Sequence, residues 1–573
     1  MDQRAVAQVF ERIAALLELK GENPFRVRAF RTAAGAIQAI PGSLSEAVAS
    51  GQVADTRGIG PATLQIVQDL LGTGRSSVLE ELQERIPAGL VDMLQISGLG
   101  VAKVRQIHEA LGIDSLPELE TAARDGRLAR LPRFGAKTAD NVLRGIAFLR
   151  QASAFRLAPH AAEESESLRA ALAALPGVGD AITAGDSRRR AELVRELTIV
   201  VVAEVRPEEL FARVGALPGV HELAAEDKGQ VTLRVGGGSP ARVIVTTPQA
   251  LGTALVQATG SEAHLAEVVA HASAGGFRLD GAGLWRDSRF IPTRNEAEFY
   301  TALGLQLIPP ELREGLGEVE VAAGNRLPQL VERSRLRGVL HCHTNLSDGT
   351  NPLGELAEAA RAAGYEWIGI TDHSQTAAYA GGLNADDLQR QADEVAAVNA
   401  ANPGIRILHG IEADILMDGS LDLGDAVLGR LDFVIGSIHS RFGMDREAMT
   451  ARLLAALDHP SLSIMGHPTG RLLLAREPYP IDMDQVFRKA AANGVAMEIN
   501  ADPHRLDLDW RLARVAAELG VSISIGVDAH SLDGLEYIDF GMGIARKAWL
   551  TDAQVLNTLT ADQFLARAAA RRR

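Results

Sequence analysis

From residue 338 onward, short apolar runs alternate with helical stretches, and most of the runs end on a histidine, an aspartate or a glutamate. No other feature of the 573-residue chain restricts its fold as much. The strand candidates are 338–341, 367–371, 405–411, 433–438, 463–466, 496–500 and 522–527. Seven strand–helix units in one stretch predict a barrel-like α/β domain on a parallel sheet. In such barrels the C-terminal strand ends meet at one mouth. Whatever chemistry those ends carry is therefore brought together.

They carry nine ligand-type side chains. His341 and His343 flank Cys342 at the end of the first strand, and the two-residue period of a strand puts both imidazoles on one face. Asp348 follows in a loop, His373 ends the second strand, and Glu412 lies after the third. His439, His467 and the pair Asp528 and His530 close the later units. Imidazole with carboxylate suits Zn²⁺, Mn²⁺ or Fe²⁺. Nine ligands exceed the needs of one ion and suit two or three. Such a cluster would acidify a bound water. Scattered structural histidines account poorly for nine such groups at strand ends.

At this length about three or four domains are expected. With 46% apolar and 23% charged residues the chain has the composition of globular protein. Its one cysteine, Cys342, excludes an internal disulfide and a Cys₄ zinc site. No uncharged apolar run reaches 18 residues and the start lacks a signal-peptide core, which predicts a cytoplasmic, nucleoid-associated location without membrane contact. Net charge is −15, which excludes a globally basic nucleic-acid binder; any nucleic-acid contact would have to use local patches or backbone dipoles. Residues 1–150 are close to neutral, with 18 basic and 17 acidic groups.

Residues 1–150 read as almost wholly helical, with look-alike turns at 57–60, 97–100 and 132–135 that begin helices; a fourth such turn lies at 176–179. The first three resemble helix-hairpin-helix motifs, in which backbone N–H groups at a helix N-terminus meet a DNA phosphate. The resemblance assigns DNA contact to Gly58, Gly60, Gly98, Gly100 and Gly135, with Lys103 and Lys137 beside the turns. Arg133 stands where the third motif expects a glycine. The bland reading is a helical packing domain with glycine turns. Strand candidates at 197–205, 230–235 and 243–245 mark a change of architecture, helix returns at 249–275, and residues 310–335 read as a linker.

Residues 338–573 resemble the polymerase and histidinol phosphatase (PHP) domain, through His341-x-His343, Asp348-Gly349, Thr371-Asp372-His373, Gly410-x-Glu412, His439, Gly466-His467-Pro468 and Asp528-x-His530. That family implies a distorted (β/α)7 barrel with a trinuclear phosphoesterase centre. One ion would be held by His341, His343, Glu412 and Asp528, which would be the catalytic set. A second would be held by Glu412, His439 and His467, and a third by Asp348, His373 and His530.

The order of parts resembles bacterial family X DNA polymerases. This implies an all-α region at 1–150, an α+β nucleotidyltransferase palm at 151–250, a thumb at 251–320 and the PHP domain at 336–573. Gly185, Arg188 and Arg189 match the family's nucleotide-phosphate turn. The palm of that family needs three carboxylates for two Mg²⁺ ions, yet the matching positions are Glu196, Thr198 and Arg242. The lyase lysine position falls on Ile66, which forms no Schiff base. The expected function is a 3′–5′ exonuclease of DNA repair, with Mn or Zn in the PHP domain and Mg only if the palm is active. Its expected partner is gapped or damaged duplex, bound as a monomer. The competing readings are an active gap-filling polymerase with PHP trimming, a non-catalytic DNA-binding scaffold and a small-molecule phosphatase.

Overall fold

The computed structural model describes every residue except 1, 2, 39, 41–43, 97, 153, 228, 237 and 573. Ser97 of the second turn and Arg573 of the terminal arginines therefore lie outside the described residues. The chain forms two compact units, one built on residues 1–154 and the other on residues 155–473 and 477–573.

The first unit is helical throughout its described elements. Helix Gln3–Leu19 puts Val6, Phe10, Ile13 and Leu17 on one stripe, each at most 1% exposed. These residues recur at three- and four-residue spacing, the period of a helix face turned to a core. Phe10 meets Phe30 of helix Pro24–Gln38 at 5.8 Å between ring centres. Ile66 belongs to the same core.

The second unit begins with a five-stranded sheet in the order Val178–Ala184, Leu197–Ala203, Ser239–Thr246, Gln230–Val235, Val220–Asp227. Leu197–Ala203 is buried at every position because it is paired on both edges. Two of the strands escape sequence reading. Val178–Ala184 is mostly half-exposed and lacks an apolar run, and Val220–Asp227 is largely polar. The turn at 176–179 leads into the first of these strands, not into a helix.

Helices Leu251–Thr259 and Glu262–Ala274 and a small antiparallel sheet follow. Residues 310–335 are not a linker. Leu312, Val319, Ala322 and Leu330 join a core with Phe299 and Tyr300, and Arg313 is fully buried against Glu296 at 2.6 Å. Their anchors are single apolar residues separated by turns, which gives no periodic signal.

The C-terminal part is one curled parallel sheet. Its end segments, Arg406–His409 and Glu412–Asp414, are two halves of a strand broken at Gly410 and Ile411. The first half pairs with Trp367–Ile370, the second with Ile435–Ser437. Seven strand positions therefore appear as eight segments. Leu340, Trp367, Leu408, Phe433, Ile435 and Ile464 form an inner core that ends on Phe564 of helix Ala561–Ala570. Phe564 stacks on Trp367 at 5.0 Å and so closes the end opposite the ligand-bearing one. Near the C-terminal end Arg571 donates to the carbonyls of Asn493 and His459, and Arg572 to that of Gly429.

Candidate metal centre

The mouth of the curled sheet brings together all nine side chains. Glu412, 1% exposed, is the centre. Its Oε1 lies 3.0 Å from His467 Nε2, 3.3 Å from His439 Nε2 and 3.4 Å from His341 Nε2. Its Oε2 lies 2.9 Å from His373 Nδ1. Asp528 Oδ1 is 3.3 Å from His343 Nε2, and Asp348 Oδ1 is 3.3 Å from His530 Nε2. Four overlapping groups have donor atoms within 4.8 Å of one another: His341, Glu412 and His467; His341, His343 and Asp528; His373, Glu412 and His439; and His343, Asp348, His373 and His530. The division differs from the one the resemblance implied. His439 and His467 share Glu412 without forming one trio, and His343 joins Asp348, His373 and His530.

Reaching this arrangement bends the backbone. A register shift falls between Leu340 and Cys342, and His341 has φ +64°. Leu340 stays in the inner core, His341 and His343 turn to the mouth, and Cys342 packs outward. Asp528 has φ +51°. A left-handed conformation costs an L side chain about 1–3 kcal/mol and persists where surrounding structure imposes it.

Three carboxylates around the cluster have no role in the sequence reading, although Asp372 stands within one of its motifs. Glu498, fully buried, accepts from His341 Nδ1 at 2.6 Å and from the His467 N–H at 2.8 Å. Asp414 accepts from His439 Nδ1 at 2.5 Å. Asp372 accepts from the Thr344 N–H at 2.8 Å and from Gln391. His530 Nδ1 lies 2.9 Å from the Asp528 carbonyl. Donation from Nδ1–H to these oxygens leaves Nε2 of His341, His439 and His530 free to face the mouth, which fixes the ligating tautomer. Asp414 is two residues from Glu412 on one strand, so alternation carried a signal for it. Glu498 carried none beyond its place on a predicted strand. Arg505, four-fifths buried, adds a guanidinium 3.5 Å from Asp528.

The donor set fits divalent cations. His341 Nε2, both ring nitrogens of His343, His373 Nδ1, Glu412 Oε2 and His467 Nδ1 are buried without a hydrogen-bond partner. Orphaned polar atoms at this density are costly unless a ligand meets them. Burial and the neighbouring His530 and His373 push His343 down to about 3. Burial also opposes charge on His439 and His530, yet carboxylates outweigh it: Glu412 and Asp414 raise His439 to about 10, and Asp348 and Asp528 raise His530 to about 9. At neutral pH both rings therefore hold a proton that a ligating nitrogen must lose. Metal loading is expected to release protons, and affinity to rise with pH up to that range. Calorimetry of Mn²⁺ binding in two buffers of unlike ionisation enthalpy checks this; identical apparent enthalpies would contradict it.

The residues matched to a polymerase palm also converge. Thr198 and Arg242 are register partners on adjacent strands, and Arg242 pairs with Glu196 at 2.8 Å. They line a cavity of about 430 Å³ with Gly185, Asp186 and Arg189. Glu192 and Glu204, carboxylates on either side of Glu196 in the chain, do not line it. Glu192 instead meets Arg471 at 2.8 Å. Arg188 is held by Glu296 at 2.6 Å, and Arg189 by Asp186 and Glu314.

In the helical unit the three turns have one geometry. Gly58, Gly98 and Arg133 all have positive φ, of 101°, 84° and 67°. Ile59, Leu99 and Phe134 anchor the turns in the core. Gly60, Gly100 and Gly135 precede helices and have open space where a side chain would be. Arg133 thus takes the backbone conformation of the glycines it replaces. Lys103 donates to the Gly98 carbonyl at 2.8 Å, while Lys137 is exposed.

A PHP-type donor cluster on a curled parallel sheet, joined to helix-hairpin-helix and polymerase-type parts, defines a DNA-processing class of protein. Residues 340–502 match the PHP domain, 254–314 the DNA polymerase beta thumb, 1–76 a helix-hairpin-helix domain and 90–147 a SAM-like helix-hairpin-helix tandem. The DNA polymerase/3′-5′ exonuclease PolX of Bacillus subtilis (strain 168) is 35% identical over 562 residues, 97% of each chain. A probable phosphatase of Thermoanaerobacter sp. (strain X514) is 29% identical over 237 residues, 38% of this chain and 90% of its own. The chain belongs to the bacterial family X DNA polymerases that carry a C-terminal PHP domain.

Proposed function

We propose that the chain is a metal-dependent 3′–5′ exonuclease of DNA repair whose palm no longer polymerises. The observation that carries the nuclease half is the convergence of nine donors with unpartnered buried nitrogens at one mouth. All nine are assigned as ligands, with His341, His343, Glu412 and Asp528 nearest the reaction. When bound, two or three Mn²⁺ or Zn²⁺ ions would supply Lewis acidity and an acidified water. The chain's own residues do the rest. Glu498 and Asp414 hold His341 and His439 in the ligating tautomer. Arg505 offers a fixed cation to a phosphate oxygen. Residues 1–150 hold DNA without reading its sequence, because Gly58, Gly60, Gly98, Gly100 and Gly135 offer backbone N–H groups to phosphates. Lys103 and Lys137 add charge beside them. The substrate is gapped or damaged duplex, and the working form is a monomer.

Residues 151–250 are assigned as a palm-like part and 251–320 as a thumb-like part of a nucleotidyltransferase, a reading supported by the thumb match at 254–314. An ion pair between Glu196 and Arg242 takes the place of a three-carboxylate Mg²⁺ cradle. A guanidinium there repels the cation that polymerisation needs. On gapped DNA with Mg²⁺ and all four nucleotides, incorporation is expected to stay at background, and Glu196→Ala to change nothing. Robust synthesis lost in Glu196→Ala would instead establish the second reading, a gap-filling polymerase with PHP trimming. That reading draws on the name of the Bacillus subtilis relative.

A further inference from the structure

We propose that the exposed ring of Tyr379 is a stacking platform for the unpaired base at the 3′ end whose phosphodiester enters the nine-residue cluster. The inference rests on the exonuclease reading above and adds to it the form of the substrate: an unpaired nucleotide, recognised by the face of its base.

Three observations carry it. The first is position. Tyr379 sits in the loop that follows His373, and the two rings are 6.2 Å apart, centre to centre, at 56°. The second is exposure. The residue is 74% exposed, and among the described residues only Phe25 is a comparably exposed large aromatic. A bare aromatic ring at the rim of a polar centre gives up apolar burial with no return from the chain's own packing. The third is rigidity beneath that exposure. Asp422 accepts from the Ser374 hydroxyl at 2.8 Å and from the Thr376 N–H at 2.9 Å, and Leu383 N–H donates to the His373 carbonyl at 2.8 Å. Ala377, Ala380 and Leu383, before and after Tyr379 in the chain, are buried. The loop's Gly381 lies against Ser347, next to Asp348. Tyr379 is thus an exposed side chain on an anchored backbone, held one residue's width from the ligands.

The chemistry that fits such a surface is a nucleobase. Stacking on an aromatic face tolerates any base, as every base has a π-face. A base inside duplex is covered on both faces by its neighbours and a terminal pair bares only its outer face, so the platform favours frayed, mismatched or single-stranded ends, including those at gaps or damage. Arg505 supplies the complementary contact for the phosphate at the same mouth, beside Asp528.

The test uses the full chain with Mn²⁺ and two single-stranded oligonucleotides. One ends in a natural 3′ nucleotide, the other in a base-free tetrahydrofuran nucleotide. Tyr379→Ala is expected to raise KM for the natural end about tenfold to a hundredfold and leave kcat little changed. It is expected to leave the base-free end, already weak for the unmodified protein, as it was. Tyr379→Phe and Tyr379→Trp should keep the tight KM. Equal losses on both ends, or no loss on the natural end, would overturn the platform while leaving the exonuclease intact. No Mn²⁺-dependent cleavage of either end by the unmodified chain would remove the exonuclease reading and the platform with it.

Discussion

Replacing His341 and His343 together with alanine lowers Mn²⁺-dependent hydrolysis of DNA by at least about a thousandfold. Metal centres of this type contribute several kcal/mol of charge stabilisation, and about 4 kcal/mol corresponds to that factor. Both rings are fully buried and between them enter three of the four donor groups, two each, so no neighbour within reach replaces them. Glu498→Gln gives a graded comparison. It keeps a hydrogen-bond acceptor for His341 but removes the charge, and a loss of about 10- to 100-fold is expected. Rates on a labelled single strand, with bound metal counted in each variant, check both. Retained hydrolysis in the double variant would place the chemistry elsewhere.

The second large effect is on stability. Glu296 bridges Arg188 at 2.6 Å and Arg313 at 2.6 Å, and Arg313 is fully buried. Burial raises the Glu296 carboxyl, but the two guanidinium groups outweigh it and hold it below its ordinary value. Glu296→Leu strands Arg313 without a counter-charge and is expected to cost about 3–5 kcal/mol. Glu298→Gln removes an exposed ion pair with Arg294 at 3.9 Å, keeps an amide oxygen to accept from the Arg294 N–H, and is expected to cost about 0.5 kcal/mol or less. Chemical denaturation followed by tryptophan fluorescence separates them, because all four tryptophans, 285, 367, 510 and 549, lie in the second unit. Equal midpoints for the two variants would mean that the Arg188–Glu296–Arg313 contact carries little of the fold's stability.

Local pattern was enough for much of the C-terminal part. The runs at 338–341, 367–371 and 496–500 became strands because alternation and apolar burial act within a few residues. The run at 405–411 was read as one strand, while the fold breaks it at Gly410 so that its halves pair on opposite sides. Strand Val178–Ala184 was missed because it buries too little to leave an apolar trace. The third hairpin turn shows the converse. Its sequence departs at Arg133, yet its backbone matches the others, since Phe134 is anchored as Ile59 and Leu99 are.

The sequence alone determined which side chains stand at strand ends and that imidazoles and carboxylates dominate there. It also carried the expectation that Glu196, Thr198 and Arg242 stand at the palm positions where the family has three carboxylates. These are properties of residue type and short-range period. Only the tertiary structure decided that Glu412 is the shared centre, that Glu498 and Asp414 orient the rings, and that Arg242 neutralises Glu196. Such pairings depend on register between strands far apart in the chain, and a one-residue slip would turn each of those side chains to the other face.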